Sequence, residues 1–349
     1  MTELLNDTRK AELLNREVKH IDIKSFDARP IVDAMKEMSF TSRDLGRATD
    51  IYNQMLADPE CTIFLVIAGS TSAGGCMDLY AELLANNMVD GVVATGASIV
   101  DMDFFEALGH KHYQALTVPD DDTLRSLYID RIYDTYIDEV ALQQVDHTIG
   151  QIADTLESCP YSSRAFIREM GKWLVTNGKK KHSLVQLAYE HDVPIFCPAF
   201  TDSSAGFGLV KHQVDRMKAG QPYLTLDSIA DFRELTEIKI AAGTTGLLMI
   251  GGGVPKNFVQ DTVVCAEILG HEDVATHKYA VQITVADVRD GACSSSTLQE
   301  AASWGKVNTA LEQMVFAEAG SVMPLLASDA YHRGHWRERK AHRWATLFT

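Results

Sequence analysis

Lys306 stands in Glu300-Ala301-Ala302-Ser303-Trp304-Gly305-Lys306, beside a tryptophan and a glycine, downstream of strand-like segments that run into loops of small residues. A lysine in this setting suggests amine chemistry through a covalent imine. Such a nucleophile needs a neutral nitrogen, and burial against an aromatic ring lowers a lysine pKa by disfavouring the ammonium. Taken alone, the heptapeptide reads more simply as an exposed lysine after a short helix capped by Gly305, because most lysines are solvated. The rest of the chain reverses that preference.

What must position the lysine is a recurring module of buried strand, small-residue loop and helix. Residues 63–67 enter the loop 68–75, which holds Ser70 and Ala73, and a helical pattern follows to about residue 86. Residues 89–94 enter 95–98, with Thr95 and Gly96; residues 194–200 enter 201–206, with Asp202. Residues 247–250 enter Gly251-Gly252-Gly253, and Pro255 suits the first turn of the next helix. Residues 278–284 and 313–317 read as two further strands. Short, continuously apolar strands separated by helices predict an α/β fold: a Rossmann-like, doubly wound, mostly parallel sheet with helices on both faces. In that architecture ligands bind beyond the carboxyl ends of the strands, where small residues admit the ligand and helix N-termini receive anions. The loops match neither GxGxxG nor a Walker sequence. One glycine loop alone is weak evidence and can merely close a turn; four after four strands can surround a single extended ligand.

The amphipathic stretches 227–242 and 258–269 read as covering helices, and 31–56 as an N-terminal helical layer. There is no internal repeat or Pro/Gly/Ser linker. The expected organisation is a helical segment 1–58 packed on the core, a catalytic domain 59–330 and a basic tail 331–349.

Of the 349 residues, 46% are apolar, enough for a large core. Acidic residues outnumber basic ones 48 to 32, for a formal charge of −16, which argues against nucleic-acid binding and fits a cationic ligand such as a polyamine. The six cysteines form no CxxC pair, so no structural zinc site or disulfide framework is indicated, and a reducing compartment follows. With a charged N-terminus and no membrane-length apolar run, the chain is expected to be soluble and cytoplasmic.

Ser303-Trp304-Gly305-Lys306, the block Gly251-Gly252-Gly253-Val254-Pro255-Lys256, Pro198-Ala199-Phe200-Thr201-Asp202 and Met88-Val89-Asp90 resemble deoxyhypusine synthase, with matching order and spacing from roughly residue 63 to residue 326. The resemblance implies an NAD-dependent transferase, a homotetramer with active sites between paired subunits, that moves the aminobutyl arm of spermidine onto an amine. It makes Lys306 the imine-forming lysine, stacks Trp304 on the methylene chain, and gives Glu300 an ammonium to hold. Asp290-Gly291 resembles the acidic-glycine step beside the amine, and Asp101 stands at the junction of cofactor and substrate. Thr95, Asp202, Gly252, Ala286, Glu318 and Ala319 would line the dinucleotide site, together with Ser70, Ala73 and Gly96 of the small-residue loops. Ser70 replaces the family's asparagine, Phe207 and Cys293 replace aspartates that grip the amine, and Asn257 replaces a histidine after the glycine block. An ammonium left without its carboxylates costs several kcal/mol. The pattern is therefore similar to the bacterial deoxyhypusine synthase-like branch, with homospermidine or a similar polyamine as the expected product. The alternatives are a true deoxyhypusine synthase acting on a translation-factor lysine, and an NAD-binding regulatory protein without catalysis. Because Asn257 cannot act as a base, the proton acceptor is expected to be a carboxylate such as Asp101 or Glu300, or another residue.

Several of these residues have simpler structural readings. Glu300 follows Thr297 at capping-box spacing, Trp304 reads as core, and Asp202 suits a helix N-cap. His110, His112 and His147 read as structural, the stretch 331–344 as a solvated terminal helix with packed tryptophans in preference to a segment docked on an acidic surface of a neighbouring subunit, and 179–181 as a surface turn.

Overall fold

The structure, a computed structural model, describes residues 2–116 and 119–348; Met1 and Thr349, the outermost residues of the expected N-terminal segment and tail, lie outside these. Its centre is a sheet of β1 (Thr62–Ile67), β2 (Gly91–Ala94), β3 (Ile195–Phe196), β4 (Thr245–Ile250), β5 (Tyr279–Thr284) and β6 (Glu312–Phe316). Every pairing is parallel and the order is β6-β5-β4-β1-β2-β3. Alternation along the strands feeds two cores. Leu65, Ile67, Leu248, Ile250 and Ile283 pack into one, whereas Phe64, Val66, Leu247, Met249 and Ala280 pack into the other. Chain order reverses between β1 and β4, so the loops leaving these neighbours diverge and open a crevice at the carboxyl edge.

The helix Phe40–Ala57 covers the first face through Leu45, Ala48, Tyr52, Met55 and Leu56, a helical spacing of apolar residues. The helices Ser228–Ala242 and Gly253–Gln260 cover the second through Leu235, Ile238 and Val259. The pattern over 31–56 proves to be two helices, Arg29–Lys36 and Phe40–Ala57, and that over 258–269 is split between Gly253–Gln260 and Thr262–Ile268. The strand expected over 194–200 is only Ile195–Phe196, because Pro198 has no N–H to give to a ladder. A small antiparallel sheet of His112–Gln114, Ile129–Ile132 and Thr135–Asp138 was not anticipated. The N-terminal segment docks on it, with Val18 N–H on the His112 carbonyl and Gln114 N–H on the Arg16 carbonyl.

The basic tail is not a solvated helix. The helix Ala319–Arg333 ends at Gly334, whose φ of 80° favours glycine, and the chain returns to the amino ends of the strands. There Arg339 is buried, donating to both carboxylate oxygens of Asp90, to the Cys61 carbonyl at 2.6 Å and to the Asn87 carbonyl at 3.0 Å. Trp344 donates to Thr62 Oγ1 at 3.2 Å. The 179–181 turn is likewise drawn in: Lys180 Nζ lies 2.7 Å from Asp78 and 2.9 Å from Glu106, the carboxylate that also meets His20 and His112. Among the described residues no helix is long and apolar enough to cross a membrane.

Candidate active site

The crevice beyond β1 and β4 continues past β5 and β6 as a groove of about 330 Å³, lined by Gly69, Gly251, Gly252, Ala286, Glu318 and Ala319 among others. Its floor is largely backbone. Gly69 and Gly251 have φ of 90° and 77°, and a Cβ at Gly251 would lie 2.8 Å from the Ala68 carbonyl oxygen. The helix Gly253–Gln260 starts at Gly252 without a side-chain cap, so its first N–H groups are available to an anion. At the other helix opening there, Glu318 already accepts the N–H groups of Gly320 and Ser321 at 2.7 and 2.8 Å.

The segment 285–297 walls this groove and a second cavity. Gly252 lets it pass, since a Cβ there would sit 2.5 Å from Ser294 Cα. Gln282 holds it by donating to the Gly251 and Ser294 carbonyls at 2.9 and 3.2 Å. Lys256 holds it from below, with Nζ on the carbonyls of Cys293 and Ser296. Burial of this lysine pushes its pKa down to about 8.

The second cavity is a cleft of about 920 Å³ containing Lys306. The Lys306 side chain is only 12% exposed, and its Nζ lies 2.5 Å from Asp261 Oδ1. Asn257 completes a ring: its Oδ1 accepts from Nζ at 3.2 Å, and its Nδ2 donates to Asp261 Oδ2 at 2.6 Å. Trp304, 67% exposed, is not a core residue; its ring centre lies 5.5 Å from Nζ. Glu300, Asp290 and Gly291 line the same cleft. Thr297 does cap the helix Leu298–Ser303, accepting the Glu300 N–H at 3.0 Å, so Glu300 contributes its backbone to the cap while lining the cleft.

Of the residues singled out for substrate, Lys306, Glu300, Trp304, Asp290, Gly291 and Asn257 therefore gather at one cleft. Asp101 does not. Its Oδ1 accepts the Ser204 N–H at 2.8 Å, and burial pushes its carboxyl up to about 6. Of those singled out for cofactor, Gly252, Ala286, Glu318 and Ala319 line the groove. The others do not line it: Thr95, Gly96 and Asp202 follow β2 and β3, whereas Ser70 and Ala73 are in the segment after β1. Thr95 Oγ1 is 3.0 Å from Ser98 Oγ, which donates to the Gly69 carbonyl, and Gly96 faces Ser203. Ser70 is half-buried, Asp202 is exposed, and Ala73 is buried against Met77 and Met102. Asp202 does not cap the following helix; Ser203 does, by accepting the Ala205 N–H. Phe207, on that helix, is 70% exposed, and Cys293 donates to the Gly253 carbonyl at 3.2 Å.

Asp261 was not among the residues expected here. It follows Asn257 by four positions, one helical turn, a spacing that puts both on one face once Gly253–Gln260 is recognised as helix.

Strand order 3-2-1-4-5-6 with a crevice at the reversal defines a Rossmann-type α/β protein, here with a lysine cleft sharing a wall with the crevice. The chain belongs to the deoxyhypusine synthase family, whose model matches residues 30–330, and this places it with the transferases. It is 71% identical over 340 residues to a deoxyhypusine synthase-like protein of Coxiella burnetii, covering 97% of this chain and 96% of that one. A deoxyhypusine synthase-like protein of Caulobacter vibrioides is 66% identical over 352 residues, covering 99% and 96%. The crystal structure of a candidate deoxyhypusine synthase from Entamoeba histolytica superposes with a TM-score of 0.60 over 90% of this chain and 97% of that one, at 19% identity, a likeness of fold.

Proposed function

We propose that this protein is a cytoplasmic, NAD-dependent aminobutyl transferase. Lys306 takes a four-carbon fragment from spermidine or a similar amine as an imine and passes it to a small polyamine, giving a homospermidine-type product. The observation that carries this reading is the Lys306 nitrogen, withdrawn from solvent against Asp261 and facing a cleft lined by Glu300 and Asp290. Those two carboxylates suit the ammonium ends of a polyamine, and the exposed Trp304 face suits the methylene chain between them.

The groove fits a dinucleotide through its glycine floor and the uncapped N–H groups after Gly252, with Ala286, Glu318 and Ala319 along its edge. Thr95, Gly96, Asp202, Ser70 and Ala73 would extend that site toward β2 and β3. NAD bound there would supply hydride acceptance and return. The chain's own residues do the rest. Trp304, Glu300 and Asp290 align the amine, Lys306 holds the fragment, and the cleft walls keep out the water that would hydrolyse an imine to an aldehyde. Asp101 and Phe207 stand apart from the Lys306 cleft. Phe207, Val210, Val214 and Met217 also form an exposed apolar row on the helix Ser204–Lys218. Both features favour a homotetramer in which one subunit's β2–β3 side completes its partner's cleft.

Incubation with NAD⁺, spermidine and putrescine, followed by mass spectrometry of the amines, tests the reading. Homospermidine supports it. Modification of a supplied translation-factor lysine instead would make the protein a true deoxyhypusine synthase, and no product with any of a panel of amines would favour a regulatory binding protein.

A further inference from the structure

We propose that Asp261 is the proton acceptor for Lys306, in place of the imidazole that Asn257 cannot supply; the proposal rests on Lys306 being the nucleophile. A lysine attacks carbon only through a lone pair, so an ammonium must first lose a proton to a group already in hydrogen-bond contact. Asp261 Oδ1 is that contact, at 2.5 Å. The other carboxylates of the neighbourhood are otherwise placed. Glu300 and Asp290 line the cleft, but neither lies within ion-pair distance of Nζ, and Asp101 is engaged with Ser204.

Asn257 makes the arrangement directional. An amide has one accepting and one donating end, and here the accepting end takes Lys306 Nζ while the donating end takes Asp261 Oδ2. The carboxylate is thereby turned so that Oδ1, not Oδ2, faces the lysine. Asn257 is thus a positioning residue, one helical turn before the aspartate it orients. Asp261 is partly open to the cleft, with its side chain 31% exposed, so it reaches an incoming amine as well as Lys306.

The step balances. One ammonium proton passes from Nζ to Asp261 Oδ1, and the freed lone pair forms a carbon–nitrogen bond to the iminium carbon of the oxidised amine. The bond from that carbon to the departing amine then breaks, its electron pair staying on the departing nitrogen. Two of the lysine's protons end on that nitrogen, relayed by Asp261, and one stays on Nζ in the protonated imine. No oxidant or reductant is consumed in this step.

The relay can be tested without a dinucleotide by treating the protein with butanal and cyanoborohydride and following Lys306 labelling by mass spectrometry against pH. Asp261→Asn is expected to slow labelling at neutral pH by about a hundredfold, the lower end of the range for a lost general base, with the deficit closing as hydroxide takes over at high pH. Asp261→Glu is expected to recover most of the neutral-pH rate. Labelling of Asp261→Asn at or above the wild-type rate across the pH range would overturn the relay and leave Asp261 as a charge partner only. A wild-type protein that labels in an Asp261-dependent way but makes no product with NAD⁺ and any amine would sink the transferase reading and leave the relay standing. No labelling of wild-type Lys306 would end both.

Discussion

The groove beyond β1 and β4 is built from backbone: glycines at 69, 251 and 252, and helix N–H groups left uncapped after Gly252. The cleft next to it is built from side chains, with Lys306, Asp261 and Asn257 in a hydrogen-bonded ring and Glu300, Asp290 and Trp304 around it. A backbone site is fixed by strand order and loop geometry, so it persists wherever the fold persists. A side-chain site can be rewritten one residue at a time. On the proposed function the replacements that the resemblance implies at 207, 257 and 293 would concern the amine and that at 70 the cofactor side, and none of them is at a groove glycine. On that reading, the difference locates specificity: the fold would secure the cofactor groove, and a few exchangeable side chains would decide which amine is handled.

The sharpest way to separate the two regions is Lys306→Ala. Transfer should fall by on the order of 10³-fold or more, because a covalent route is closed, while NAD affinity stays within about threefold in an equilibrium titration. Loss of NAD binding as well would mean that the lysine holds up both regions. Arg339→Met offers the opposite contrast. It strands the buried Asp90 at the far edge of the sheet, and breaking such a pair costs about 3–5 kcal/mol. Urea unfolding should show that loss, with transfer per folded molecule unchanged.

A substitution in the shared wall should affect both regions together. At Gly252→Ala the new methyl meets Ser294 Cα at 2.5 Å, so the segment 285–297 must move. Overpacking of this kind costs about 1–3 kcal/mol, and both NAD affinity and transfer should fall, read by titration and product mass. Lys256 gives the mildest test. Its folded pKa of about 8 lies below that of an unfolded lysine, so between these values the unfolded chain binds more protons and stability rises with pH. A folded value of about 8 against an ordinary lysine value of about 10.4 gives a gain of about 2 kcal/mol from pH 8 to 10. Urea midpoints should show that rise in the wild type, and in Lys256→Met the total rise should be smaller by that amount, the remainder belonging to Lys239, whose burial holds it at about 8 as well.

Much of the groove was legible because its signals are local. Apolar runs of strand length ending in glycine give the parallel sheet, and five of its six strands lie within a residue or two of the expected positions. The third falls short because Pro198 ends the ladder early. The lysine cleft was legible through Glu300, Trp304 and Lys306, which share one short segment. Asp261 was not, because its role depends on a helix boundary and on a contact across 45 positions of chain. The tail was misread for a similar reason. Arg339 looks like one more solvated cation until the fold brings the buried Asp90, 249 positions away in the chain, against it. Lys180 joined a buried carboxylate in the same way. Charge in a run predicts solvent exposure only while no partner is known.

The most direct measurement is borohydride trapping of the protein with NAD⁺ and spermidine, followed by peptide mass mapping. The account predicts an aminobutyl adduct on Lys306, dependent on NAD⁺ and absent from Lys306→Ala. An adduct confined to Lys256 or another lysine, or none at Lys306 with any amine that yields product, would contradict it.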